Sequence, residues 1–272
     1  MLFPRIIPCL LVKNKGLVKT VQFKDPRYVG DPINAVKIFN EKEVDELIVL
    51  DIDATAENRE PDYRMVENLA GECRMPLCYG GGIRTVEQAH RIFALGVEKV
   101  ALSSAMVACP ELVTQIAAQV GNQSVVAVLD VKRGSGNGRY EVWTHNGTRN
   151  TRRCPVGFAK ELERLGIGEI ITNSIENDGL LKGYDFALVD SIRESISVPM
   201  TVLGGAGSLG DIEQLISRYG IVGAAAGGLF VFKGVYRAVL INYPSPEEKK
   251  AVFLRSGYGR SPCESERISS PC

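Results

Sequence analysis

The sequence predicts a (β/α)8 TIM barrel assembled from two similar halves, and two observations carry that expectation. Short runs rich in Val and Ile alternate with amphipathic stretches along most of the chain. Near-continuous apolar strands separated by helices belong to parallel βαβ units covered on both faces. The second observation is internal repetition. PLCYGGGIRTVEQAHRIFALGVEKVALSSA (76–105) matches PMTVLGGAGSLGDIEQLISRYGIVGAAAGG (199–228), and ELIVLDIDATAEN (46–58) matches EIITNSIENDGL (169–180). CLLVKNKG (9–16) matches VLDVKRGSG (128–136) as well. Half-barrel duplication explains three matches at nearly one offset. A doubly wound open sheet is the alternative fold.

Taken in order, strands are expected near 5–12, 46–52, 75–80, 98–103, 124–131, 169–174, 198–203 and 220–226. Helical patterns lie between them. PDYRMVENLAGECR (61–74) opens with Pro at a favourable helix start, and TVEQAHRIFALGVE (85–98) offers Thr85 as a cap with Gln88 three residues later. The barrel is assigned to residues 1–242. The remainder, 243–272, is polar, carries scattered Pro, Ser and Gly, lacks a partner in the repeat, and is expected to be a flexible tail.

Composition narrows the function. The chain has 272 residues, 45% hydrophobic and 24% charged, with 32 basic and 32 acidic side chains. A balanced charge without a basic stripe gives no footprint for nucleic acid or an anionic membrane. No apolar run is long enough for a membrane span, and the start lacks the features of a signal peptide. Seven cysteines at 9, 73, 78, 109, 154, 263 and 272 show no metal spacing, and His90 and His145 are the only histidines. A multi-histidine metal site is excluded, no cofactor is expected, and free thiols in the cytoplasm are the expected state.

Glycines cluster after two strands half a barrel apart, at Gly80-Gly81-Gly82 and Gly204-Gly205-Ala206-Gly207. Each cluster is followed one strand later by small residues, Ser103-Ser104 and Gly227-Gly228. Glycine lets backbone N–H groups approach an anion, and barrels commonly bind phosphate in loops seven and eight. Two such cradles predict a long ligand with a phosphate at each end; tight strand-to-helix turns that bind nothing are the alternative. In the first repeat pair, Leu11 stands where Asp130 stands, an offset of 130 − 11 = 119 residues. Asp130, at a strand's carboxyl end, reads as a site residue or as a structural partner for Lys132. Leucine in the twin position can neither donate nor accept a proton.

RIIPCLLVK, DELIVLDIDAT, YGGGIRTVEQA, VLDVKR, GEIITNSIENDG and TVLGGAG, in this order, resemble the HisF family, the cyclase subunit of imidazole glycerol phosphate synthase. The resemblance covers roughly residues 1–242. It implies a glutaminase partner of the HisH type at the barrel floor, ammonia passing through the interior, and cyclisation of a bisphosphorylated nucleotide at the top. By the same resemblance Asp130 is one of two catalytic aspartates, and the other falls on Leu11. Lys19 and Phe23 lie in a loop that folds over the substrate, and Asp51 and Asp178 face the site. Gly81, Gly82, Ser103, Ser104, Gly205, Ala206, Gly227 and Gly228 bind phosphate, with Gly228 where a serine is usual. Arg5, Glu46, Lys99 and Glu169 form an ammonia gate, which the residues alone read equally as a salt-bridge plug, and Glu98 faces the glutaminase. The chain looks most like a divergent branch associated with acetamidino modification of surface-polysaccharide sugars. There the ammonia goes to a separate ATP-dependent amidotransferase. A working cyclase of histidine biosynthesis and a purely structural partner are the competing readings.

Overall fold

The computed structural model describes residues 3–134, 138–234 and 236–258. Eight strands form a closed parallel barrel: β1 Arg5–Lys13, β2 Leu47–Asp51, β3 Leu77–Gly80, β4 Lys99–Leu102, β5 Val125–Arg133, β6 Glu169–Ser174, β7 Met200–Leu203 and β8 Gly223–Ala226. Each pairs with its chain neighbour, and β8 returns to β1 in the register Ile6↔Ala224. Eight helices follow the strands: α1 Pro32–Glu41, α2 Tyr63–Glu72, α3 Val86–Ala94, α4 Glu111–Val120, α5 Pro155–Arg164, α6 Phe186–Arg193, α7 Leu209–Tyr219 and α8 Pro246–Arg255. Capping side chains fix the starts of all but α4 and α5. Asp31 accepts from the amide of Asn34, Asp62 from Met65, Thr85 from Gln88 and Asp185 from Leu188. Each such cap contributes about 1 kcal/mol. Gln88 does not complete a box with Thr85, because its side chain accepts from the Arg84 amide.

Strand alternation sorts the apolar residues into two layers. Ile6 and Leu10 face outward against the helices, whereas Ile7 and Cys9 face the bore together with Ile48, Cys78, Val126, Val128, Ile171 and Ala225. The interior is therefore filled by side chains, as expected for eight strands.

The tail expectation requires correction for residues 243–258. Ser245 and Glu248 form a capping box for α8, Val252 is fully buried, and the buried Tyr243 hydroxyl donates to the Ile6 carbonyl at 2.8 Å. Lys249 pairs with Asp45 and Arg255 with Glu213, pinning α8 beside the barrel. Residues 259–272, with Cys263 and Cys272, lie outside the described residues.

Two antiparallel hairpins complete the mouth. One (Gly16–Val21, Lys24–Gly30) grows from β1, and the other (Tyr140–Thr144, Arg149–Asn150) grows from β5. The first turns on two residues with positive φ, Gln22 and Phe23 at 52° and 63°, the sign a two-residue type I′ turn demands. The second closes through the four residues 145–148, of which His145, Asn146 and Gly147 have positive φ at 53°, 55° and 69°.

Candidate functional site

At the carboxyl ends of the strands lies a cavity of about 350 Å³. It gathers Leu11, Lys19, Phe23, Asp51, Gly81, Gly82, Ser103, Ser104, Asp130, Asp178, Gly205, Ala206, Gly227 and Gly228 into one surface. The sequence-level candidates for the upper site therefore share a single pocket.

Its floor has two unlike walls. On β1 and β2, Leu11 and Leu50 are register partners; on β5 and β6, Asp130 and Asn173 are. The Asn173 amide donates to Asp130 Oδ1 at 2.8 Å. Burial pushes the Asp130 carboxyl up to about 7, against the opposing hydrogen bonds of Asn173 and Ser103. A carboxyl held there exists in both protonation states near neutral pH, which suits a general acid or base.

The other two carboxylates of the mouth are engaged. Asp51 Oδ1 accepts from the amides of Asp53 and Ala54 and so caps the short helix Ile52–Ala56. Its other oxygen lies 3.8 Å from Arg59. Asp178 Oδ2 accepts from the Thr20 hydroxyl at 3.0 Å and the Phe23 amide at 3.3 Å, which ties the β1 hairpin across the mouth. Burial raises the carboxyls of both. Lys19 lies buried beneath that hairpin, its Nζ donating to the Cys9 carbonyl at 2.5 Å. Burial pulls its ammonium down against the attraction of Asp178.

The glycine loops come close to neighbouring backbone. A Cβ on Gly81 (φ +123°) would lie 2.4 Å from the Asp51 carbonyl, and one on Gly205 (φ +111°) 2.1 Å from that of Gly183. Both positions therefore need glycine for local packing, whatever else the loops hold. Ser103-Ser104 and Gly227-Gly228 stand over them at the ends of β4 and β8.

Sequence reasoning missed His145, Asn146, Arg27 and Arg237, all of which line the cavity. His145 donates its amide to Ser104 Oγ at 3.4 Å, and its ring is shifted down by burial and by Arg149. Asn146 reaches the Ile52 carbonyl at 2.8 Å, much as Gln22 of the other hairpin reaches the Glu176 carbonyl at 2.8 Å. The Asn146-Gly147 pair was the one local signal of the second hairpin.

Four charges occupy the opposite end of the bore. Glu169 accepts from Arg5 at 2.7 Å and Lys99 at 2.9 Å; Glu46 accepts from Lys99 at 2.8 Å and also from Arg5. Thr201 donates to Glu169 at 2.5 Å. Burial opposes ionisation of Glu169, but the cations of Arg5 and Lys99 outweigh it and hold its carboxyl well below the usual range. Four residues separate Glu169 from Asn173 on β6, so this ring lies roughly 13 Å below the cavity floor. Glu98 is exposed beside it, with one oxygen accepting from the Leu77 amide at 2.8 Å.

Residues 5–237 match the Histidine biosynthesis protein family. A protein of Halalkalibacterium halodurans named imidazole glycerol phosphate synthase subunit HisF is 39% identical over 233 residues, covering 86% of this chain and 92% of the relative. This chain belongs to the HisF family. A Vibrio vulnificus protein, provisionally named imidazole glycerol phosphate synthase subunit hisF3, is 57% identical over 250 residues, 92% of this chain and 96% of the relative. A Pseudomonas aeruginosa protein provisionally named subunit hisF2 is 54% identical over 240 residues, 88% and 95%. Within this HisF-family chain, no group of His, Cys, Asp and Glu among the described residues could hold a metal, and no described helix is long and apolar enough to cross a membrane.

Proposed function

We propose that this HisF-family barrel is a subunit of a glutamine amidotransferase complex that conducts ammonia and has weak or no cyclase activity. The observation that carries the reading is the floor of the cavity, where Leu11 and Leu50 stand across from Asp130 and Asn173. Cyclisation with proton transfer on both faces of an intermediate needs two groups, and Leu11 supplies none. Asp51 and Asp178, which could substitute for it, are committed to backbone amides, a hydroxyl and Arg59. Losing one such group costs about 10²–10⁴ in rate.

In this reading a HisH-type glutaminase docks at the floor, near Glu98. Arg5, Glu46, Lys99 and Glu169 act as the gate, and a phosphorylated small molecule occupies the cradles. The ring's charges cancel, and the apolar bore above it suits neutral ammonia, whereas a bare ammonium ion would lose its hydration. The acceptor is a separate ATP-dependent amidotransferase that acts on a surface-polysaccharide sugar, and the complex is cytoplasmic. The competing reading is a genuine cyclase of histidine biosynthesis. Its support is the unqualified name of the relative at 39% identity.

Ammonia conduction is tested by narrowing the bore with Ala225→Leu in a complex reconstituted with glutaminase and acceptor enzyme. Glutamine labelled with ¹⁵N at its amide should still be hydrolysed, while label reaching the acceptor falls at least about tenfold. Undiminished transfer would remove the conduit.

A further inference from the structure

The two glycine cradles differ in the charged groups around them. The first has the hydroxyls of Ser103 and Ser104 and the His145 turn beside it. The second has Gly227 and Gly228, which carry no side-chain donor of their own; the Lys19 ammonium, 2.6 Å from where a Gly227 Cβ would lie, is bonded to the Cys9 carbonyl. This cradle has instead a segment without counterpart in the first half. After the short helix Ser104–Ala108, residues 109 and 110 lead straight into α4 at Glu111; after Gly228–Val231, residues 232–245 intervene before α8. Part of that segment forms a small hairpin, Phe232–Lys233 paired with Ala238–Val239.

Tyr236 and Arg237, just before its second strand, differ in exposure. Tyr236 is 96% exposed. Arg237, in the left-handed region at φ 48°, is half-buried and returns over the mouth. Among the described residues its guanidinium makes one hydrogen bond, from Nη2 to the Gly179 carbonyl at 3.3 Å. Arg27, from the β1 hairpin, lies with its Cζ 5.9 Å from the Phe232 ring centroid. Phe232 in turn borders Gly228, where a Cβ would sit 3.9 Å from its ring. Neither arginine has a carboxylate within ion-pair distance among the described residues, and both line the cavity that contains Gly205, Gly227 and Gly228. Two cations facing one pocket without an ion-pair partner leave most of their N–H donors for a ligand, and a guanidinium fork matches phosphate geometry.

We propose that Arg237, seconded by Arg27, clamps a phosphate monoester dianion over the Gly227-Gly228 cradle. The cation replaces the hydroxyl that this cradle lacks. The proposal rests on the reading that the pocket takes a phosphorylated ligand, and is independent of ammonia transfer.

The test pairs calorimetry with crystals, using glycerol phosphate and inorganic phosphate as probes. Wild type should hold phosphate at both cradles in soaked crystals. Arg237→Gln should keep it only beside Ser103-Ser104, with the affinity for glycerol phosphate down about tenfold at low salt. Arg237→Lys, which keeps the charge and loses the fork, should fall between. Lys233→Gln, exposed on the same hairpin, should match wild type and exclude a general charge effect. Phosphate at the second cradle of Arg237→Gln, with affinity within twofold of wild type, would overturn the clamp. Phosphate at neither cradle of the wild type would overturn the clamp together with the ligand reading, and would leave the bore unaffected.

Discussion

At one height in the barrel, the β1–β2 wall offers two leucines, and the β5–β6 wall offers a half-buried carboxyl braced by an amide. The backbones around the two pairs match closely. Each strand runs into an antiparallel hairpin whose connection carries consecutive residues of positive φ, two in the first half and three in the second, and each is tied by a side-chain amide to a loop across the mouth. The glycine loops repeat the same close approach to neighbouring carbonyls. Packing and turn geometry thus hold the two halves alike, while side chains at the cavity floor have diverged. The difference leaves the carboxyl of this floor in the second half, on Asp130.

The largest test of this comparison is at the other end of the bore, where each half keeps its carboxylate and the first half supplies both cations. Glu46 and Glu169 each bridge Arg5 and Lys99, and Glu169 has Thr201 as an additional donor. Glu169→Gln should cost up to about 3–5 kcal/mol in urea unfolding, because it leaves two half-buried cations short of charge. Glu46→Gln should cost somewhat less. The Glu169 carboxyl is depressed in the folded state. Its contribution is therefore complete above the unfolded value and lost as pH falls through the folded one. The acid limb of the stability profile should flatten in Glu169→Gln, and an unchanged limb would break the ring's claim to be structural.

Next in size come the twin glycines. Gly81→Ala and Gly205→Ala should each cost about 2–4 kcal/mol, because φ is positive and the new Cβ meets a carbonyl. At Gly228 the nearest atom would be Leu181 Cδ2 at 3.2 Å, so Gly228→Ala should cost less than about 1 kcal/mol by thermal unfolding. A large loss there would mean that the two cradles are constrained differently.

A smaller effect separates the walls themselves. With the Asp130 carboxyl raised to about 7, the folded state binds a proton that the unfolded chain has released. Stability therefore falls as pH rises from the unfolded value, near 4, to the folded one, and is level beyond. Asp130→Asn removes that penalty and still accepts from Asn173. The rise from near 4 to about 7 corresponds to about 4 kcal/mol. With solvent screening at the open cavity, the variant should be more stable than wild type by on the order of 2 kcal/mol at pH 8 and equal to it below pH 4. A constant difference across that range would show that burial does not control Asp130.

Much of this was legible in the sequence. The β6 strand was placed at its observed bounds, and the other strands within a few residues, because apolar runs bounded by turn residues identify strands buried on both faces. The gathering of the glycine loops with Asp130 followed from the repeat. The β1 hairpin was hidden because Gln22 and Phe23 adopt positive φ without glycine or asparagine to announce it. Helix α8 was hidden because Val252 is its one fully buried side chain, so its apolar pattern is faint, although Ser245 and Glu248 spelled its cap. Arg237 had no local signal at all; its place over the mouth depends on a tertiary contact with Gly179.

The central claim concerns Leu11, and cyclisation tests it most directly. The purified chain would be given the aminated bisphosphate nucleotide and saturating ammonium at alkaline pH, with ligand binding followed in parallel. Wild type should bind the nucleotide and form no imidazole glycerol phosphate above background, and Leu11→Asp should recover part of the rate. Wild-type turnover within about tenfold of an ordinary cyclase, less than the loss of one acid–base group allows, would contradict the account and show that another group does the work of the missing aspartate.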